Sequence, residues 1–258
     1  MTYSVNRGDS PLVLGFPHGG TQVTVDVAAN LNENGLILAD TDWHIAKLYD
    51  GLVEDVTTVE ATFHRYVIDA NRDPGGDSLY PGQNTTGLIP LHDFDGQWIW
   101  LQEPSDEDQK YRVASFHEPY HRALNDEIQR VKSKHGYAVL IDCHSIRSEI
   151  PFLFEGVLPT LNIGTDFGKT CDPAIEAAVM GAIADGPFTQ VLNGRFRGGW
   201  TTRHYGRPAD HVHAVQIEIA QHAYLSEETP PFRYDNKKAD ELRPSLASIL
   251  SAVLSAAQ

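Results

Sequence analysis

The sequence predicts an α/β fold built on a mainly parallel central sheet, and three observations carry that expectation. Short apolar runs alternate with amphipathic stretches of helical length. The runs PLVLGF (11–16), YAVLIDCHS (137–145) and VHAVQIEIA (212–220) are apolar almost end to end, as strands covered on both faces are. Several runs then stop on ionisable or strongly polar residues. In such sheets ligands bind beyond the carboxyl ends of the strands, so those endings mark the region to search for chemistry.

Taken in order, PLVLGF reads as a buried strand closed by the Pro17-His18-Gly19-Gly20 turn. Trp43, Leu48, Leu52 and Val56 fall near helical spacing, which predicts a helix from about Thr41 to Asp55 with Thr41 or Asp42 at its N-cap. FHRYVIDANR (63–72) alternates and breaks at Asp-Pro-Gly-Gly, the pattern of a strand ending in a turn. Residues 73–115 are rich in Gly, Pro and Asp and read as an extended loop region. Tyr120, Leu124, Ile128 and Val131 form the stripe of a helix from about Glu118 to Lys134, closed by His135-Gly136. Helices are also expected from Ala174 to Ala184 and from Leu242 to Leu254. The whole of 1–258 is expected to form one domain.

Composition narrows the function classes. At 258 residues the chain can bury a full core without covalent staples. Two cysteines, Cys143 and Cys171, are too few for a disulfide framework and suit a reducing cytoplasm. The N-terminal stretch lacks the pattern of a signal peptide, and no window resembles a membrane helix. A net charge of −15 argues against a nucleic-acid partner. A small acidic ligand stays open, because a local arginine cluster can override the global field. Twelve histidines are a notable share, and histidine is both the commonest metal ligand and the usual acid–base group near neutral pH.

The polar strand endings converge in type. His18 follows the first strand, Asn71-Arg72 the second run, His144 ends VLIDCHS, and Glu218 lies near the end of VHAVQIEIA. Two histidines from separate strands suggest a metal, and hydrolytic zinc sites add a third protein ligand and a water. Asp42 in ADTDWH is the best candidate, with Asp40 the near alternative, although an aspartate there is most often an N-cap. Alternation places Asp142 beside His144 on one face and turns Cys143 to the other, where it reads as a small buried hydrophobe. Glu218 inside an apolar strand is either paired with an arginine or held as a general base. NGRFRGGWTTRHYGRP carries Arg195, Arg197, Arg203 and Arg207, and Arg147, Arg65 and Arg72 add to the positive groups. Guanidinium forks suit a substrate with one or two carboxylates. No nucleotide-binding glycine motif and no nucleophile elbow is present.

The blocks PHGG, DTDWHIAKLYD, RYVIDANR, LYPGQNTTGL, IDCHSIRS, LNIGT, CDPA, NGRFRGGWTTRHYGRP and HAVQIEIAQ together resemble the N-formylglutamate amidohydrolase family, from about Pro11 to Tyr224. The resemblance implies a three-layer fold, a mixed and mainly parallel sheet with helices on both faces, as in zinc carboxypeptidases. It also implies hydrolysis of N-formyl-L-glutamate to glutamate and formate, in histidine degradation, with one divalent metal ion, zinc by preference. On this pattern His18, Asp42 and His144 match metal ligands and Glu218 matches the general base. Asn71-Arg72 is similar to a pair that grips the substrate carboxylate, and Arg65 to an arginine that polarises the scissile carbonyl. The chain departs from its relatives in two places. Ala46 stands where the family often has an aspartate, and Thr21 where the carboxypeptidase-like relatives have a glutamate ligand. Two other readings remain at this stage: a metal-dependent deacylase of another N-acyl acidic amino acid, such as N-acylaspartate or N-succinylglutamate, and a carboxylate-binding module without catalysis.

Overall fold

The computed structural model describes residues 1–76 and 85–257. In chain order the elements are β1 (Tyr3–Asn6), β2 (Leu12–Phe16), α1 (Val25–Asn30), α2 (Ile45–Tyr49), β3 (Thr57–Ala61), α3 (Asp106–Arg112), α4 (Glu118–His135), β4 (Ala138–Ile146), β5 (Leu161–Gly164), α5 (Pro173–Ile183), β6 (Gln190–Leu192), α6 (Trp200–Tyr205), β7 (Val212–Ala220) and α7 (Asn236–Ala256). Seven strands form one sheet in the order β1-β3-β2-β4-β7-β5-β6. β3, β2, β4 and β7 run parallel, whereas β1 and β5 join antiparallel to β3 and β7.

Three layers follow from side-chain alternation. Val139, Ile141 and Cys143 of β4, with Val215, Ile217 and Ile219 of β7, share a core with α5 and α7. The intervening Leu140 and Ala214 pack with α4 on the other face. Every residue of β2, β4 and β7 is buried, as strands sandwiched between helices must be. The alternation continues to the strand ends. Asp142 and His144, and beside them Gln216 and Glu218, face the α4 side at the point where the helix no longer covers the sheet.

The three long apolar strands and the helices over 118–134 and 174–184 match expectation within a residue or two, and Gly136 closes α4 in the left-handed region at φ 84°. Four expectations need correction. FHRYVIDANR is not a strand. The strand is the preceding β3, and the chain then turns, with the His64 ring and the Asp69 carboxylate taking the amides of Tyr66 and Asn71 in place of a ladder. The helix expected over 41–55 shrinks to α2, capped by His44 in the left-handed region, because Asp42 spends its carboxylate elsewhere. Residues 73–115 hold a helix that a search for apolar stripes misses. α3 is charged almost throughout and starts from a reciprocal capping box between Ser105 and Asp108. The C-terminal helix also begins earlier than Leu242, at an Asp235 cap. Part of the LYPGQNTTGL block lies outside the described residues.

Candidate active site

A narrow cleft of about 80 Å³ opens at the carboxyl ends of β2, β4 and β7. His18, Arg65, Asn71, Arg72, His144, Arg195 and Glu218 all line it. His18 arrives on the turn after β2, His144 and Glu218 on adjacent strands in direct register, and Asn71-Arg72 on the turn-rich loop after β3.

At its base three donor atoms converge. His18 Nδ1 lies 3.2 Å from His144 Nδ1, and Asp42 Oδ2 lies 3.2 Å from His144 Nδ1 and 3.9 Å from His18 Nδ1. Ligand atoms at tetrahedral zinc distances sit roughly 3.3 Å apart, so the spacing fits one small cation. Among the described residues this His18–Asp42–His144 group is one that could hold a metal ion. The surroundings strengthen the fit. Asp69 Oδ1 lies 2.7 Å from His18 Nε2, and Asp142 Oδ1 lies 2.9 Å from His144 Nε2. With both Nε2–H groups donated to these carboxylates, both Nδ1 atoms face each other as acceptors. Carboxylate–histidine pairs of this kind orient and enrich metal-ligating rings. With that tautomer, two lone pairs and a carboxylate oxygen are aimed at one point, an arrangement that suits a small cation.

The electrostatics say the same. Burial and the Arg65 guanidinium push His18 down to about 4, which keeps it a neutral donor. Burial would also lower His144, yet Asp142 and Asp42 raise it well above the usual imidazole value. A proton on His144 or a divalent cation answers the same demand. Burial would raise Asp42, but the Arg65 guanidinium at 2.6 Å, together with His144 and His18, lowers it and keeps it ionised. Asp42 Oδ2 also accepts from the Ser145 amide at 3.0 Å, which pins the carboxylate to the end of β4. Asp40, the alternative ligand, points elsewhere. Its Oδ2 accepts from Tyr66 Oη and the Phe94 amide, and it is absent from the convergent group.

Glu218 is the buried acid of the cleft. Burial pushes it up to about 8 against the pull of His144, with Asp42 adding to the rise. Gln216 Nε2 donates to its Oε2 at 3.1 Å, and Gln216 Oε1 accepts from the Gly199 amide at 2.6 Å. Arg65 is buried, and its Nε has no hydrogen-bond partner among the described residues. Asn71 Oδ1 accepts from the Thr201 amide at 2.8 Å, and Arg72 is braced by the Thr86 carbonyl and hydroxyl, each at 2.9 Å.

Four of the arginines singled out in the sequence do not line the cleft. Arg147 pairs with Asp95 at 2.9 Å. Arg197 donates to the Gly194 carbonyl and lies over the Phe167 ring. Arg203 donates to the Gly198 carbonyl, and Arg207 binds the His204 carbonyl and Asp210. Most arginines of the stretch therefore hold their own loop together, and of the four it is Arg195 that lines the cleft. Sequence reasoning passed over Asp69. Its signal was a lone acid inside the apolar VIDA run, the same signal that singled out Glu218. The apolar wall of Phe94, Leu153 and Phe196 carried no readable pattern at all.

Fold and cleft together define the class: a three-layer α/β protein of hydrolase type, with its polar groups gathered at the carboxyl ends of parallel strands. The chain belongs to the N-formylglutamate amidohydrolase family, whose model matches residues 10–225. It is 44% identical over 256 residues to the N-formylglutamate deformylase of Pseudomonas aeruginosa, covering 97% of this chain and 95% of that one. The deformylase of Pseudomonas putida is 43% identical over the same extent. Among solved structures, the N-formylglutamate amidohydrolase from Ralstonia eutropha JMP134 superposes with a TM-score of 0.79 at 23% identity, over 97% of each chain. An Agrobacterium tumefaciens gene product superposes at 0.76 and 18% identity, covering 98% of this chain and 95% of that one. These two likenesses show the shared fold.

Proposed function

We propose that this chain hydrolyses N-formyl-L-glutamate to L-glutamate and formate with one divalent metal ion, most simply zinc, held by His18, Asp42 and His144. The observation that carries the reading is the convergence of those three donors, both histidines backed by carboxylates, beneath a cleft that also presents Glu218 and the arginines Arg65, Arg72 and Arg195. Family membership and the names of the 44% and 43% identical relatives support the substrate.

The chain's own residues divide the work. Asn71 and Arg72 bind the substrate carboxylate from the loop after β3, and Arg195 adds charge on the facing wall. That grip places the formyl group at the base of the cleft, where proximity itself accelerates reaction. Glu218 takes the proton of the attacking water and returns it to the departing glutamate nitrogen. Its burial favours this role, because a base with a raised pKa can also serve as the acid. Arg65, held against Asp42, directs its positive charge at the oxygen that becomes anionic. A divalent ion bound by the three donors would supply Lewis acidity to that oxygen and to the water. Phe94, Leu153 and Phe196 limit water and the size of the acyl group.

The reading places the enzyme in histidine degradation and in the cytoplasm, on the strength of the family resemblance and the composition. Among the described residues no helix is long and apolar enough to cross a membrane. One domain over 1–258 is supported by the seven strands sharing one sheet. The test is formate release from N-formylglutamate, measured with metal analysis before and after chelation and after zinc is restored. Loss on chelation and recovery with metal are expected. Full turnover by the metal-free protein overturns the metal-dependent reading, and preferred cleavage of N-acetyl or N-succinyl analogues overturns the substrate.

A further inference from the structure

Twelve histidines exceed what the cleft uses, and two of the remainder share one task. α3 and α4 form one continuous rod joined by a π-helical turn over Val113–His117. A π turn closes its backbone hydrogen bonds over five residues in place of four, and such turns are frequent at functional sites. Here it brings Arg112 and His117 onto one face, and the next α turn adds His121. All three are buried, and all three reach backbone carbonyls of the same short loop. Arg112 Nη1 donates to the Val67 carbonyl at 3.1 Å. His121 Nε2 lies 2.7 Å from the Ala70 carbonyl, and His117 Nε2 lies 3.0 Å from the Arg72 carbonyl. Asn71 sits between the last two. Trp200 packs its ring 5.4 Å from His117 and 4.8 Å from His121, which confines both imidazoles.

We infer that the π-turned rod is a positioning rail for the carboxylate grip, with His117 and His121 as positioning residues that clamp the peptide carbonyls on either side of Asn71. This rests on the reading of Asn71 and Arg72 as the substrate-carboxylate site. The logic is geometric. Residues 63–72 are irregular, so no sheet ladder fixes the direction in which Asn71 and Arg72 project. A neutral imidazole that donates from Nε2 is a stiff, short strut. Two of them, anchored on a helix, replace the missing ladder.

The test uses metal-loaded protein and four variants, with KM and kcat for N-formylglutamate, melting temperature and metal content measured on each. His117→Phe keeps an aromatic ring against Trp200 but removes the donor. It should raise KM roughly tenfold with kcat within a factor of about two, as expected when a buried carbonyl loses its partner away from the reacting atoms. His117→Gln, whose amide reaches the position of Nε2, should restore KM to near the parent value. Arg72→Ala tests the underlying reading by itself, because an unchanged KM there removes the grip and the rail with it. With that reading intact, the double variant His117→Phe/Arg72→Ala should show little further rise over Arg72→Ala. An unchanged KM in His117→Phe overturns the rail, as does a fall in kcat alone or full additivity with Arg72→Ala. Should the Phe variant fail to fold, His117→Asn, too short to reach the Arg72 carbonyl, takes its place beside His117→Gln. Equal KM for that pair then overturns the inference.

Discussion

His18 and Asp69 meet at 2.7 Å with both side chains buried, the imidazole Nε2 against the carboxylate Oδ1. Asp69 is held ionised despite burial by Arg72 and by His18 itself, well below the usual carboxylate range. Its role is to hold His18 in the tautomer whose Nδ1 faces the other donors. Asp69→Asn keeps the shape and loses the charge. It should weaken metal binding by roughly 10–100-fold, as loss of a carboxylate behind a ligating histidine does elsewhere. Equilibrium competition with a chromophoric chelator measures this, and unchanged affinity would show that the pair is only structural.

Glu218→Gln preserves volume and the bond to Gln216 while removing the carboxylate proposed as the base. The expected result is a loss of roughly 10²–10⁴ in kcat with little change in KM. Single-turnover formate release separates chemistry from product loss. Near-parent turnover would take the proton transfer away from Glu218.

Gly199 is the N-cap of α6 and sits against Asn71. A Cβ placed there would come within 2.3 Å of Asn71 Nδ2 and 2.7 Å of its Oδ1. The backbone is extended, so strain is not the issue; the amide of Asn71 has to move. Gly199→Ala should therefore raise KM by roughly tenfold or more, since small displacements of substrate-holding groups are costly. Melting temperature should fall modestly, because the Thr201 amide loses its Asn71 partner, while metal content stays close to the parent's. A parent-like KM would mean that Asn71 does not contact substrate.

Far from the cleft, Glu127 of α4 accepts from Arg7 at 2.7 Å and from Arg130 at 2.6 Å. Burial would raise its pKa, but the two arginines win and lower it below the ordinary 4.5. A depressed carboxylate contributes stability that is present above its unfolded pKa and lost as pH falls through the folded one. Glu127→Gln should thus cost about 1 kcal/mol at neutral pH, after allowing for solvent around both arginines. Denaturant melts below pH 4.5 should find parent and variant converging. A gap that stays constant into acid would show that the ion pairs do not supply it.

Three strands, β2, β4 and β7, were readable in advance because they are covered on both faces, and burial writes itself as unbroken apolar runs such as VHAVQIEIA. The other four lacked that signature: β1 and β6 are short, partly exposed edge strands, and β3 and β5 interleave polar residues with apolar ones (TTVEA, LNIG). The loop over 63–72 misled for a different reason. Its residues are nearly all buried, so hydrophobicity implied a strand, while His64 and Asp69 diverted the backbone amides to side chains. At the site, His18, His144 and Glu218 stood out as polar groups in apolar surroundings. The arginines could not be sorted in the same way. Arg195 and Arg197 are two residues apart in similar sequence, and only the path of the loop decides that one faces the cleft.

His144 and Glu218 are paired across β4 and β7 in the parallel ladder. Backbone hydrogen bonds between the two strands set how far Glu218 stands from the donor group. A single-residue slip of either strand would turn that strand's group to the opposite core, so this half of the site cannot drift by small steps. The opposite half is borne by loops, through Phe94, Leu153, Arg195 and Phe196, and loops tolerate change. The molecule is therefore built as a fixed reaction centre facing an exchangeable wall. Attempts to retarget it to other acyl groups belong on that wall, with the strand ends left untouched.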